Sequence, residues 1–343
     1  MRIWGSSGSV SPPKMRTKLT DVVALLSLLL CVLSPPAEAW AQDAGEPVEG
    51  ALFLLLPVGA QGVALGRAMT WVDGVESVWW NPAGLSGLTR SQGVVVRGDH
   101  TVGTATAATV LYARQGLGAL GASYYLLDAG EFDQTDEFGN YIGTLTVRNH
   151  LGIVSGATRV TDRVAVGANL KIVRYQFACR GLCSVEGTTA TTYAVDLGVQ
   201  VDPVENLRVG ALVAHLGPRL QVRNAEQADP LPARMRMAGA YDVVSARLGR
   251  EDLHGWIALE VEDRLRNPGS TSVYLGTELR AGRTDALSLR AGHAWSEVNQ
   301  EDGTRVGLGL RYQRFDLGIA KSLAVSTITG ETEPVPVTFS IGF

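Results

Sequence analysis

Residues 305–312 read Arg-Val-Gly-Leu-Gly-Leu-Arg-Tyr, and their alternation decides the fold. On an extended chain Val306, Leu308, Leu310 and Tyr312 share one face, while Arg305, Gly307, Gly309 and Arg311 share the other. Strict alternation of this kind marks a half-buried strand. It recurs at 164–172, 273–281 and 287–295. There Leu170 and Ile172 oppose Asn169 and Lys171, Leu275 and Leu279 oppose Glu278 and Arg280, and Leu287 and Leu289 oppose Ser288 and Arg290. A soluble sandwich buries its apolar face against a second sheet. Here the pattern repeats over about ten or more strands, with Arg, Lys, Glu and Gly on the second face, which is the apolar-out, polar-in signature of a transmembrane barrel.

Outward from this stretch, fourteen antiparallel strands are expected. They fall near 91–98, 103–113, 117–128, 146–160, 163–176, 189–201, 206–216, 234–244, 254–263, 271–281, 286–295, 304–312, 314–323 and 335–343. Each is long enough to cross a membrane when tilted. The connections alternate short and long. Short ones lie at 113–116, 161–163, 202–206, 282–285 and 313–314, and long ones at 128–143, 178–188, 217–232, 264–270, 296–303 and 324–334. That is the alternation of short periplasmic turns with longer external loops. One connection, 245–253, is longer than a periplasmic turn should be. An even strand count puts both termini on the periplasmic side. The final strand alternates Val335, Val337, Phe339, Ile341 and Phe343 with polar or small residues, and the terminal Phe343 resembles the signal read by the barrel-assembly machinery.

The amino terminus gives the compartment. Lys14, Arg16 and Lys18 precede an apolar run at 22–33, followed by Ser34-Pro35-Pro36 and Ala39-Trp40-Ala41. This is the plan of a secretory signal peptide with cleavage near Ala41, Met15 being an alternative start. Residues 1–41 are therefore read as the leader, 42–90 as a linker and hatch, and 91–343 as the barrel. The run at 22–33 is shorter than the roughly 20 residues a membrane helix needs, and no later apolar stretch reaches that length. The expected location is the outer membrane of a Gram-negative-type bacterium. The chain has 343 residues, 19% charged, with a formal net charge of −4, and no basic excess to suggest nucleic acid.

Between linker and barrel lies a segment that is neither helix nor strand. Residues 51–57 read as an extended lead-in. Gly59, Gly62, Gly66 and Gly74 then weaken any regular element before Trp79-Trp80-Asn81-Pro82-Ala83-Gly84. Pro82 fixes its own φ and Asn81 can close an Asx turn, so this is a corner inside a compact plug. Asp73 and Glu76 in the plug are expected to pair with lumen arginines. The lumen-facing candidates are Lys171, Glu278, Arg280, Arg290, Arg305 and Arg311, with Glu260 and Glu262 on the same face. They serve as a charged permeation path, as a pairing surface for the plug, or simply as an ion-paired interior. Cys179 and Cys183 sit in an external loop, as a local disulfide or two free thiols; two ligands do not make a metal site. The five histidines show no ligand spacing, and no nucleophile, phosphate-loop or zinc-protease motif occurs. No cofactor or metal is expected, nor an enzyme.

The run LLLPVGAQGVALGRAMTWVDGVESVWWNPAGLSGL at 54–88 resembles the amino-terminal signature of the PorV/PorQ outer-membrane proteins, relatives of the FadL long-chain fatty acid transporter class. The resemblance implies a fourteen-stranded barrel with an N-terminal hatch shaped by Gly59, Gly62, Gly66, Asp73, Glu76, Trp80, Asn81, Pro82 and Gly84. It implies a channel for hydrophobic small molecules or, alternatively, a component of a secretion or surface-assembly system with a protein partner. The expected surroundings are outer-membrane lipid.

Overall fold

The computed structural model describes residues 49–100, 102–182, 187–222, 228–250, 252–296, 302–324 and 335–343. The leader with its cleavage point near Ala41, and Cys183, lie outside the described residues.

Fourteen antiparallel strands close into one barrel. They are β1 (Gln92–His100), β2 (Gly103–Arg114), β3 (Gly118–Thr135), β4 (Tyr141–Thr161), β5 (Val164–Gly181), β6 (Thr188–Val204), β7 (Leu207–Leu216), β8 (Arg234–Asp242), β9 (Leu253–Arg264), β10 (Ser272–Ala281), β11 (Ala286–Trp295), β12 (Gly303–Tyr312), β13 (Phe315–Ser322) and β14 (Val337–Gly342). Each pairs with its sequence neighbours, and β1 pairs with β14, Val95 opposite Phe339, so that no sheet edge remains. The alternation sorts faces as the sequence implies. Leu170 is 61% exposed while the adjacent Asn169 is fully buried; Leu308 is 46% exposed while Arg305 is 2% exposed. The outward ring of Leu, Val, Ile, Tyr and Phe is the surface a bilayer would cover.

Several connections differ from expectation. The loop expected at 128–143 is mostly strand: β3 runs to Thr135 and β4 starts at Tyr141, with a bulge between Asp128 and Glu131. Its turn is closed by Asp136, whose carboxylate accepts from the Phe138 and Asn140 amides at 2.9 and 2.8 Å. Hydrogen bonds from Asn140 hold Asp136 below the usual carboxylate range. β5 likewise continues to Gly181. The polar threonines of 135–146 find their ladder partners above the apolar band, so β3 to β6 form a wall rising beyond the rim. The long turn at 245–253 has a cause: it carries a short helix, Val243–Leu248, whose N-cap Asp242 accepts from the Ser245 amide at 3.0 Å and whose C-cap Gly249 is left-handed. β14 starts at Val337 because Pro336 has no N–H to give the ladder; its carbonyl still accepts from Ala320 at 3.1 Å.

The two ends of the described chain are not on one side. Phe343 lies at the short-turn end, its N–H donating to the Ser91 carbonyl at 2.9 Å. Glu49 lies at the long-loop end, where both its carboxylate oxygens accept from Arg234, the first residue of β8, at 2.7 Å. Gly50 donates to the Pro230 carbonyl in the adjoining loop. Strand parity places only the barrel's own ends; residues 49–91 run the length of the interior before β1 begins.

Candidate functional site: the occupied interior

The segment at 49–91 meets the wall around its whole circumference. Thr70 faces β9 and β7, Asn81 faces β6, Pro82 faces β5, Gly66 faces β11 and Ala60 faces β13 and β14. Only the inside of the barrel permits such contacts. The first piece, Leu52–Leu55, is a 3-10 turn rather than extended chain, seated on Ala51 with φ 52°. Next comes the short helix Ala60–Ala64, whose first three amides have no partner within the helix. All three are served from outside it. Ala60 donates to Thr338 Oγ1 at 2.8 Å, Gln61 to Glu76 Oε1 at 3.1 Å and Gly62 to Glu76 Oε2 at 3.0 Å. The Thr338 hydroxyl donates in turn to Glu76 Oε1 at 2.7 Å. Glu76 is thus held by amides and a hydroxyl, not by the arginine expected from sequence. Its carboxylate occupies the space a side chain at Gly59 would need, and Gly59 has φ 95°.

The Asn-Pro corner is a structural knot. Asn81, fully buried, accepts from the Ala83 amide at 3.1 Å and donates to the carbonyls of Thr70 at 2.7 Å and Val199 at 3.3 Å. Pro82 follows as the first residue of the 3-10 turn Pro82–Gly87. Trp80 donates its indole N–H to the Val58 carbonyl at 2.8 Å, and Trp71 to the Ala68 carbonyl at 2.9 Å. Gly84 packs against the Val72 carbonyl with no room for a side chain.

Sequence reading missed the wall's half of this contact. Gly167, Gly198, Gly210, Gly292 and Gly307 lie on the inner face of five strands. A Cβ on any of them would intrude on Pro82, Asn81, Thr70, Leu65 or Ala64 respectively. Bare backbone in mid-strand lets the segment's own backbone come that close. The signal was present: glycines recur on the polar face of otherwise well-formed strands.

Most of the inward charges are paired. Asp73 meets Arg208 at 2.7 Å. Lys171 is ion-paired with Asp196 and lies 3.2 Å from His215 Nδ1, while Asp196 also accepts from the Asn169 amide at 2.8 Å and the His215 N–H at 2.9 Å. Arg236 meets Glu260 at 2.8 Å and Glu262 at 3.0 Å, and Glu260 accepts from the Thr70 amide at 2.8 Å and hydroxyl at 2.7 Å. Arg290 pairs with Glu278, and Arg311 with Asp316. Arg305 is buried inside; Arg280 lines the lower interior beside Arg290 and Arg311. Asp196, Arg208, Arg234 and Arg236 escape sequence reading because partner choice depends on register across strands. Cys179 is disulfide-bonded. Gly62 and Gly66 approach Trp80 and the Gly292–His293 backbone.

The segment divides the interior into two chambers. Toward the short-turn end lies a polar one of about 330 Å³, lined by Asp73, Glu76, Arg208, Glu278, Arg280, Arg290 and Arg311. Toward the long-loop end lies a cavity of about 50 Å³, lined by Phe53, Leu54, Leu56, Trp79, Trp80, Tyr125, Leu151 and Ile153, with Lys171, Arg234 and Arg236 at its edge. Phe53 stacks on Tyr125 at 6.3 Å between centroids. Above it, the inner face of the raised wall is apolar. Phe132 pairs with Leu145, Leu145 with Cys179, and Val147 with Phe177. Residues opposite one another in a ladder share a face, and this face continues that of the buried Asn149 and Leu151.

Solved structures share this architecture. The Ralstonia pickettii toluene transporter TbuX matches with TM-score 0.57 and 13% identity over 83% of this chain and 98% of its own. The CymD monoaromatic hydrocarbon channel matches with TM-score 0.56 and 10% identity over 86% and 99%. The P. putida toluene transporter TodX matches with TM-score 0.54 and 12% identity over 83% and 99%. At such identities the likeness is one of fold. No known family profile and no curated protein sequence matches the chain, so nothing here supports the PorV/PorQ side of the sequence resemblance.

Proposed function

We propose that the protein is an outer-membrane passage for small, uncharged, apolar molecules, entered from the long-loop side. One observation carries this reading: the inner face, polar lower down, turns apolar from Phe132 and Phe177 to Leu151 and Phe53, and leads into the outer cavity. Of the cations at that cavity, Arg234 is engaged by Glu49, Arg236 by Glu260 and Glu262, and Lys171 by Asp196, while Arg67 donates to the Leu55 carbonyl at 2.9 Å. A carboxylate-bearing cargo would have to displace one of these partners. The hydrocarbon channels that share the fold point the same way. In this reading 52–88 is a hatch, the short turns face the periplasm, lipid covers the outward residues, and the exposed Phe343 is available to the assembly machinery. The outer cavity has about a third of the roughly 150 Å³ known to admit benzene, so entry requires Leu54 and Leu56 to give way. Release follows rearrangement of the hatch or opening of the wall. A second reading, a surface-assembly component, is favoured by one feature: Phe138 and Leu182 stand 80% and 81% exposed on the raised wall.

The test is entry of toluene into proteoliposomes carrying the folded barrel, with Val147→Asp as the probe. Entry above empty vesicles, lowered severalfold by Val147→Asp, supports the reading. No entry beyond bare lipid refutes it.

A further inference from the structure

Two hydrogen-bond donors at the outer cavity are left over. The N–H of Trp79 and the O–H of Tyr125 are buried and meet no acceptor among the described residues, and both residues line that cavity. The contrast with neighbours is informative: Trp80 and Trp71, in the same segment, both have carbonyl partners. Tyr124, one residue before Tyr125 and on the outer face, has His150 Nδ1 at 2.7 Å. Leaving a buried donor unmet is costly, so such groups call for an explanation. An indole N–H can only donate. A plain hydrocarbon would seal both donors off; a ligand with an acceptor oxygen would satisfy one or both.

On the strength of the passage proposed above, we infer that the favoured cargo is an uncharged aromatic molecule bearing a hydrogen-bond acceptor, a ketone, aldehyde or ether oxygen, recognised by Trp79 and Tyr125. The walls suit the ring: Phe53, Tyr125, Leu151 and Ile153 are apolar or aromatic. Three of the nearby cations, Arg234, Arg236 and Lys171, are already ion-paired, and Arg67 is turned to the Leu55 carbonyl, so the recognition argued here rests on the two unmet donors. Sites built to hydrogen-bond a ligand discriminate strongly against the analogue that lacks the group, since their own polar atoms are then left unpaired.

The experiment is equilibrium dialysis of the full barrel in lipid nanodiscs, with empty nanodiscs subtracting membrane partition. The probes are acetophenone and α-methylstyrene, alike in shape and differing in a carbonyl oxygen against a methylene. The expected result is that acetophenone binds about tenfold tighter, the worth of one well-made hydrogen bond. In the Trp79→Phe/Tyr125→Phe double variant, which keeps both rings, the preference falls below about threefold. Folding of the variant is checked by heat-modifiable gel migration, and each single variant serves if the double does not fold. Equal binding of the two probes to the unsubstituted protein overturns the inference and leaves the passage standing, as would a preference unchanged in the variants. Binding of neither probe overturns both.

Discussion

Removing the Glu76 carboxylate should loosen the interior segment without opening the barrel. In Glu76→Ala three donors lose their acceptor: the Gln61 amide at 3.1 Å, the Gly62 amide at 3.0 Å and the Thr338 hydroxyl at 2.7 Å. Glu76 is 3% exposed, so its donors are shielded in the parent protein even though the carboxylate borders the polar chamber. A buried unmet donor costs about 1–3 kcal/mol, which sums to roughly 3–6 kcal/mol after allowing for incomplete additivity. The barrel ladder makes none of these bonds and should persist. Glu76→Gln keeps one acceptor oxygen and should cost about half as much. The assay is ion conductance across a planar bilayer, with limited proteolysis at 59–66 as a second readout. Glu76→Ala should conduct in frequent bursts and become cleavable, with Glu76→Gln intermediate. A Glu76→Ala barrel as silent and resistant as the parent would show that the segment is held by packing alone.

Other substitutions probe separate contacts. Asn81→Ala removes one accepted and two donated hydrogen bonds at a fully buried position, and should lower segment stability by about 2–4 kcal/mol, read as faster proteolysis at the corner. Gly210→Ala puts a methyl group against the Thr70 carbonyl, and should cost about 1–3 kcal/mol and raise conductance, whereas Gly239→Ala, with open space at its Cβ, should change neither. Arg208→Met breaks two pairs, with Asp73 at 2.7 Å and Asp202 at 2.8 Å, from an arginine 18% exposed, and should cost about 1–3 kcal/mol, less in high salt. Phe53→Ala should enlarge the outer cavity and strengthen binding of an uncharged aromatic while lowering the thermal midpoint, since such truncations cost about 3–5 kcal/mol.

The barrel wall was legible because it rests on a local rule. Val306, Leu308 and Leu310 against Arg305, Gly307 and Gly309 show the period without any knowledge of partners, and so do the alternating turn lengths. What lies inside depends on contacts distant in sequence. Glu76 meets Thr338, 262 positions away, and no local pattern announces that pairing. Its lack of an arginine partner is also invisible locally, because the Gln61 and Gly62 amides and the Thr338 hydroxyl claim the carboxylate first. Asn81 was readable as a turn-former, but its grip on Val199 was not. The raised wall does not read as membrane strand because its alternation is inverted there: Leu145 and Val147 face inward while Thr144, Thr146 and Arg148 face outward. Val147 and Phe177 point inward by the same parity as the buried Leu151 and Val173, whereas Phe132 joins that face only through the bulge between Asp128 and Glu131, which no local pattern announces.

The most direct test of the account is an experimental structure of the barrel with an uncharged aromatic, acetophenone, bound at saturation. Ligand density beside Trp79 and Tyr125, with Leu54 and Leu56 displaced and the Arg234–Glu49 pair intact, is the result the account predicts. Density confined to the polar chamber among Arg280, Arg290 and Arg311, or none inside the barrel at all, would contradict it.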